Sequence, residues 1–150
     1  MKTYVLYHAF CPDGFGSAWV LWNKFGNDAT YIPVTHGKKP PELEKSSRVF
    51  IVDFSYAKEI LEEIGKNSKE ITLIDHHQTA KKDLEGLSFA HFDMNHSGAY
   101  LCWKYFFPDE PVPKLIGYVQ DRDLWKFELP SSKEVHSLIT TTEHDFEKWN

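Results

Sequence analysis

Asp75-His76-His77 follows directly on the apolar run Ile71-Thr72-Leu73-Ile74. Adjacent carboxylate and imidazole side chains at the end of a buried strand have no packing rationale, but they suit Mn²⁺, Mg²⁺, Fe or Zn²⁺. Taken alone, the triplet reads equally well as a polar turn whose histidines cap the next helix. Other segments repeat the pattern. Thr3-Tyr4-Val5-Leu6-Tyr7 reads as a short strand with His8 at its end, and Arg48-Val49-Phe50-Ile51-Val52 stops at Asp53. Asp121 and Asp123 follow the apolar stretch Leu115-Ile116-Gly117-Tyr118-Val119. If these strands are parallel, His8, Asp13, Asp53, Asp75, His76 and one of Asp121 or Asp123 gather at one sheet edge, where open α/β sheets bind their ligands. So many carboxylates repel one another unless a cation compensates them. A metal cluster is the economical explanation.

The elements that must position these residues alternate between strand and helix. Ala9 to Gly16 reads as a loop punctuated by Pro12, Gly14 and Gly16, followed by an amphipathic stretch from Ser17 to Phe25. Ala29 to Val34 reads as a short strand, placed at an edge by Pro33. Lys58 to Lys66 carries Ile60, Leu61 and Ile64 on one helical face. Gly86 to Phe92 reads as a returning strand, and Ser97 caps a helix that opens at Gly98. Pro108 to Pro113 is a break, with further helices over Lys114–Asp123 and Ser131–Thr140. The expected fold class is α/β: a parallel β-sheet of about five strands with helices on both faces.

Composition fits a single domain with a real core: 150 residues, 41% hydrophobic and 15% aromatic. The two cysteines give no disulfide framework, no apolar run reaches membrane-spanning length, and no leader precedes the first strand, so a cytoplasmic location is expected. A net charge of −5 argues against a broad nucleic-acid surface. It leaves room for a phosphate substrate, because bound divalent cations invert the local field.

Four ordered motifs make the chain resemble the catalytic domain of the DHH (Asp-His-His) phosphoesterase superfamily: His8 through Gly14, Asp53, Asp75-His76-His77 and Asp121. It is similar above all to bacterial DHH phosphohydrolases, through Cys11-Pro12-Asp13-Gly14-Phe15, Ser97-Gly98-Ala99 and Asp121-Arg122-Asp123-Leu124-Trp125. The resemblance implies two divalent ions, usually Mn²⁺, held by His8, Asp13, Asp53, His76 and Asp121, with the Asp53 carboxylate bridging. It places Asp75 and His77 either behind the ligands as supports or facing the substrate. Asp123 is then expected to orient Arg122 or cap the next turn. The family's first motif carries two aspartates two residues apart; here Cys11 holds the earlier place, as a weak ligand or a neighbour of the site.

Two metals roughly 3.5–4 Å apart clamp a phosphoryl group and activate water for in-line attack. His77 is the candidate proton donor to the leaving oxygen. Its alternative is a hydrogen-bonding support. The Ser97-Gly98-Ala99 helix start could offer backbone N–H groups to a substrate phosphate, with His96 beside it. His36 and His91 have no such support and read as structural. The chain has only two arginines; Arg48 should lie away from the site, while Arg122 is the one placed to meet phosphate, an ion pair with a neighbouring carboxylate being the competing and favoured role. Trp19, Trp22, Trp103, Phe106, Phe107 and Trp125 mostly read as core. Phe10 or Phe15 could stack on a base, with core or lid packing the competing role.

The expected activity is metal-dependent hydrolysis of short single-stranded oligonucleotides or cyclic dinucleotides. Pyrophosphate or polyphosphate hydrolysis and a catalytically weak nucleotide- or metal-binding module are the alternatives. The resemblance also leads one to expect a smaller substrate-gripping domain after the fourth motif. The 27 residues beyond Asp123 are too few for it, so 1–150 is expected to be a single catalytic domain, whether excised, truncated or a minimal single-domain member, with a site open to small substrates or completed by a homodimer.

Overall fold

The apolar strands form one sheet in the order β2-β1-β3-β4-β5, every neighbouring pair parallel, in a computed structural model that describes residues 1–150. The strands are β1 (Thr3–His8), β2 (Ala29–Val34), β3 (Arg48–Val52), β4 (Glu70–Asp75) and β5 (Ala90–Phe92). The helices are α1 (Pro12–Phe25), α2 (Lys58–Asn67), α3 (Gln78–Asp83), α4 (Gly98–Phe106), α5 (Lys114–Asp123) and α6 (Ser132–Thr141), with a short 3₁₀ turn over Gly26–Asp28. The α/β class with a five-stranded parallel sheet is as the sequence implied. No helix is long and apolar enough to cross a membrane.

Continuous apolar runs arise because both sheet faces are covered. Val5, Phe50, Val52 and Ile74 point into one core, shared with Phe15, Trp19, Leu21, Cys102, Ile116 and Val119 from α1, α4 and α5. Their neighbours Leu6, Val49, Ile51 and Leu73 point into the other, closed by Leu61 and Ile64 of α2. Burying each such side chain contributes roughly 1.5–3 kcal/mol.

Three boundaries differ from the sequence reading. α1 begins at Pro12 rather than Ser17, with Pro12 in its first turn, where the missing N–H costs nothing. Asp13 therefore sits in a helical first turn and not in a loop. β5 is confined to Ala90–Phe92. A short helix, α3, directly follows the Asp-His-His triplet, with His77 at its N-cap position.

The strand order reverses between β1, which continues to β2 on one side, and β3, which continues to β4 on the other. Such a switch point leaves a crevice at the carboxyl ends of the strands. Tyr7 pairs with Val52 across it, so His8 and Asp53 emerge side by side at its mouth.

Candidate metal centre

Asp53 is the residue around which the site is built. It is 1% exposed, and its backbone takes a left-handed φ of +52° directly after β3. Such a conformation costs a non-glycine residue roughly 1–2 kcal/mol, and here it turns the carboxylate into the crevice. Neither Asp53 oxygen has a hydrogen-bond partner, although both are buried. His76 Nε2 lies 3.1 Å from Asp53 Oδ1, and His8 Nδ1 lies 3.6 Å from Asp53 Oδ2. Nδ1 of His8 is likewise buried and unpartnered. Orphaned buried oxygens beside imidazole nitrogens are the donor set a divalent cation requires.

Two glycines make this closeness possible. A Cβ on Gly14 would lie 2.1 Å from the His8 carbonyl oxygen, so α1 can start against the end of β1 only with glycine there. A Cβ on Gly98 would lie 2.8 Å from Asp53 Oδ1.

Ligand atoms fall into three overlapping groups, each within 4.8 Å: His8, Cys11 and Asp53; Asp53, Asp75, His76 and His77; and Asp13, His76 and Asp123. Asp53 belongs to two groups and His76 to two, which suits one shared carboxylate between neighbouring ions. His76 Nε2 is also 3.4 Å from Asp13 Oδ2 and 3.5 Å from Asp123 Oδ2. The structure thus gathers His8, Asp13, Asp53 and His76 as expected, with Cys11 alongside.

The fourth motif is corrected. Asp123, not Asp121, faces His76. Residues two apart on a helix point to nearly opposite sides, so α5 can deliver only one of the pair. Asp121 turns away. Its carboxylate accepts the amides of Glu128 and Leu129 at 2.9 and 3.3 Å and the Ser132 hydroxyl at 2.5 Å. These bonds hold its charge, and its pKa, below the usual range against the opposing effect of burial.

The α4 start is also corrected. The Gly98 and Ala99 amides donate to Asp13 at 2.7 and 2.9 Å, so they are taken by a carboxylate of the chain and not free for substrate. Ser97 Oγ caps Tyr100 N, and Ser97 N donates to Gln120. His96 stacks on Tyr100 and bonds Asp93 at 2.9 Å. Arg122 makes no ion pair; its guanidinium lies 3.9 Å over the Trp125 ring. Trp125 is 68% exposed and not core, whereas Phe15 is buried against Phe146 and Trp149 and cannot meet a base. Phe10 is exposed.

Charge balance explains the titration of the cluster. Burial, with the charges of Asp53 and Asp123, pushes the Asp13 carboxyl well up. Burial also raises Asp123. Burial pushes on Asp53 too, but His76 and His8 outweigh it and hold its pKa below the carboxylate range. The Asp53 carboxylate lifts His8 to about 10, with Cys11 adding to the effect. In His76 burial opposes the charge, yet Asp53, Asp13 and Asp123 together raise it to about 9. Without a metal, two imidazolium ions supply the positive charge this pocket demands.

His77 stands at the rim. Its Nδ1 is 2.6 Å from Asp75 Oδ1, and Ser55 Oγ donates to Asp75 Oδ2 at 2.6 Å. Asp75 is thereby a buried orienting group, and His77 faces a depression of about 270 Å³ lined also by His36, Tyr56 and Asp83. The sequence reading gave His36 no part in the site, as a structural or surface residue, yet its ring is 5.3 Å from that of His8. The signal was present: His36 follows β2, and a strand end on the crevice side was the criterion that found the others. It also missed His136, which lines a second depression of about 220 Å³ with Cys11, Asp13, Arg122, Asp123 and Thr140.

No family model matches the chain. An uncharacterized protein of Acanthamoeba polyphaga mimivirus is 35% identical over 162 aligned positions, covering 97% of this chain and 38% of its own length. A crystal structure of an uncharacterized protein from Helicobacter pylori G27 superposes with a TM-score of 0.73 at 18% identity, over 94% of this chain and 49% of that one. The chain therefore spans less than half of either relative. The second likeness establishes the fold.

Proposed function

We propose that the chain is a divalent-metal phosphoesterase of the DHH type, hydrolysing phosphodiester bonds in short oligonucleotides or cyclic dinucleotides. One observation carries the reading: Asp53, 1% exposed, has no group but the His8 and His76 imidazoles facing its two oxygens, at the switch point of the sheet. The order His8, Asp13, Asp53, Asp75-His76-His77 supports it through the family resemblance, and the five-stranded parallel sheet is the architecture that resemblance implies.

His8, Asp13, Asp53, His76 and Asp123 would hold the metal, with Cys11 beside the His8 side of the cluster. Bound there, divalent ions supply Lewis-acid activation of water and of the phosphoryl group. The chain's own residues do the rest. Asp53, whose backbone turns left-handed after β3, would present its two oxygens to the metal from one position. Asp75, itself held by Ser55, fixes the His77 ring through Nδ1 and raises its pKa, which favours a proton on the ring and leaves Nε2 free to give it. That proton goes to the leaving oxygen.

A hydrolysis panel with Mn²⁺ tests this, using dinucleotides, cyclic dinucleotides, single-stranded oligonucleotides and pyrophosphate. Cleavage of a phosphodiester, abolished by chelator, is expected. Cleavage of pyrophosphate alone would shift the assignment to phosphoanhydrides, and no cleavage would leave a binding module.

A further inference from the structure

We propose that Arg122 and Trp125 form a nucleotide subsite beside the carboxylate–imidazole cluster, Arg122 taking the phosphate and Trp125 stacking on the base. The subsite deepens the phosphoesterase reading and rests on it for what becomes of the bound phosphate.

Arg122 is the cation closest in chain to the cluster, and its pairing is unusual. Arg48, the chain's other arginine, is paired with Glu70. Arg122 has no carboxylate partner although it lines the same depression as Asp13 and Asp123. Its guanidinium carbon lies instead 3.9 Å from the Trp125 ring centre and 5.4 Å from that of Phe127. Contact with a ring face, and no ion pair, leaves its N–H donors free for the two parallel hydrogen bonds by which a guanidinium binds phosphate. His136 borders the same depression with a buried, unpartnered Nδ1.

Trp125 is held at cost. It and Phe127 have φ of +57° and +54°, a region L-residues enter at roughly 1–2 kcal/mol each. Asp121 enforces the turn: its carbonyl accepts the Lys126 amide at 2.9 Å, and its carboxylate gathers Glu128, Leu129 and Ser132. The result is an indole with a cation on one face and 68% of its surface in solvent. Lys133 lies over the neighbouring Phe127 ring. A flat, solvent-exposed ring beside cations, one depression from a phosphate-compatible cluster, fits a nucleotide monophosphate unit.

The test is binding, read by Trp emission and equilibrium dialysis, of a nucleoside 5′-monophosphate and of ribose 5-phosphate to the full chain with Mn²⁺. Trp125→Ala should weaken the nucleotide by about 5- to 150-fold and leave ribose 5-phosphate unchanged. Arg122→Ala should weaken both ligands, and Arg122→Lys should recover only part of the loss. The nucleotide should quench emission in wild type and not in Trp125→Phe. A wild type that binds neither ligand, or a Trp125→Ala variant that binds both as wild type does or loses both equally, overturns the subsite. If hydrolysis persists with unchanged KM in these variants, the subsite falls and the phosphoesterase stands. If binding follows the expected pattern without hydrolysis, the reverse holds.

Discussion

No side chain fits between residue 98 and Asp53: a Cβ on Gly98 would lie 2.7 Å from the Asp53 Cβ. The start of α4 and the end of β3 therefore share one volume, and the position of the central carboxylate depends on a missing methyl group. Gly98→Ala must push Asp53 or α4 aside. A destabilisation of about 1–3 kcal/mol is expected, with weakened Mn²⁺ binding, measurable by denaturant unfolding and calorimetric titration of the same protein.

Asp121 and Asp123 should separate stability from metal affinity. Asp121→Ala strips partners from two backbone amides and the Ser132 hydroxyl, and should cost about 2–4 kcal/mol in urea unfolding. Asp123→Asn should leave the unfolding midpoint close to wild type and reduce Mn²⁺ affinity. Equal losses of stability in both variants would contradict the assignment.

The legible part of this site was what strand ends dictate. Asp53, Asp75 and His76 each end an apolar run, and in a parallel sheet all such ends share one edge. Choosing Asp123 over Asp121 was not legible, because the choice depends on which face of α5 meets α1 and α4. Nor were the occupied amides of Gly98 and Ala99: their acceptor, Asp13, lies 85 residues away from Gly98 in sequence. Trp125 reads as core from its neighbours, and only the left-handed turn pinned by Asp121 turns it outward.

Metal binding should strengthen as pH rises. An imidazole must lose its proton to ligate, and in the metal-free protein His8 and His76 hold theirs up to about 10 and 9. Mn²⁺ affinity, followed by titration between pH 6 and 9, should climb throughout, with proton release on binding. The metal-free fold moves the other way. Both histidines have folded pKa values above the unfolded value, so their contribution is full below about pH 6.5 and is lost as pH rises through 9 to 10.

His77 should matter for turnover and not for metal. His77→Ala should lower kcat by roughly 10²–10⁴-fold, the range for a positioned proton donor, with Mn²⁺ affinity retained. Asp75→Asn should reproduce part of that loss by freeing the ring. Parallel loss of metal in His77→Ala, measured by dialysis and metal analysis, would make His77 a ligand.

The central claim is that the cluster around Asp53 is a metal centre, and anomalous scattering from a manganese-soaked crystal tests it most directly. The expected map has manganese peaks within bonding distance of Asp53, His76 and His8, with an Asp53 oxygen touching each ion present, and no peak there in Asp53→Asn. A manganese peak elsewhere, or a blank map at millimolar Mn²⁺ and pH 8, would contradict it.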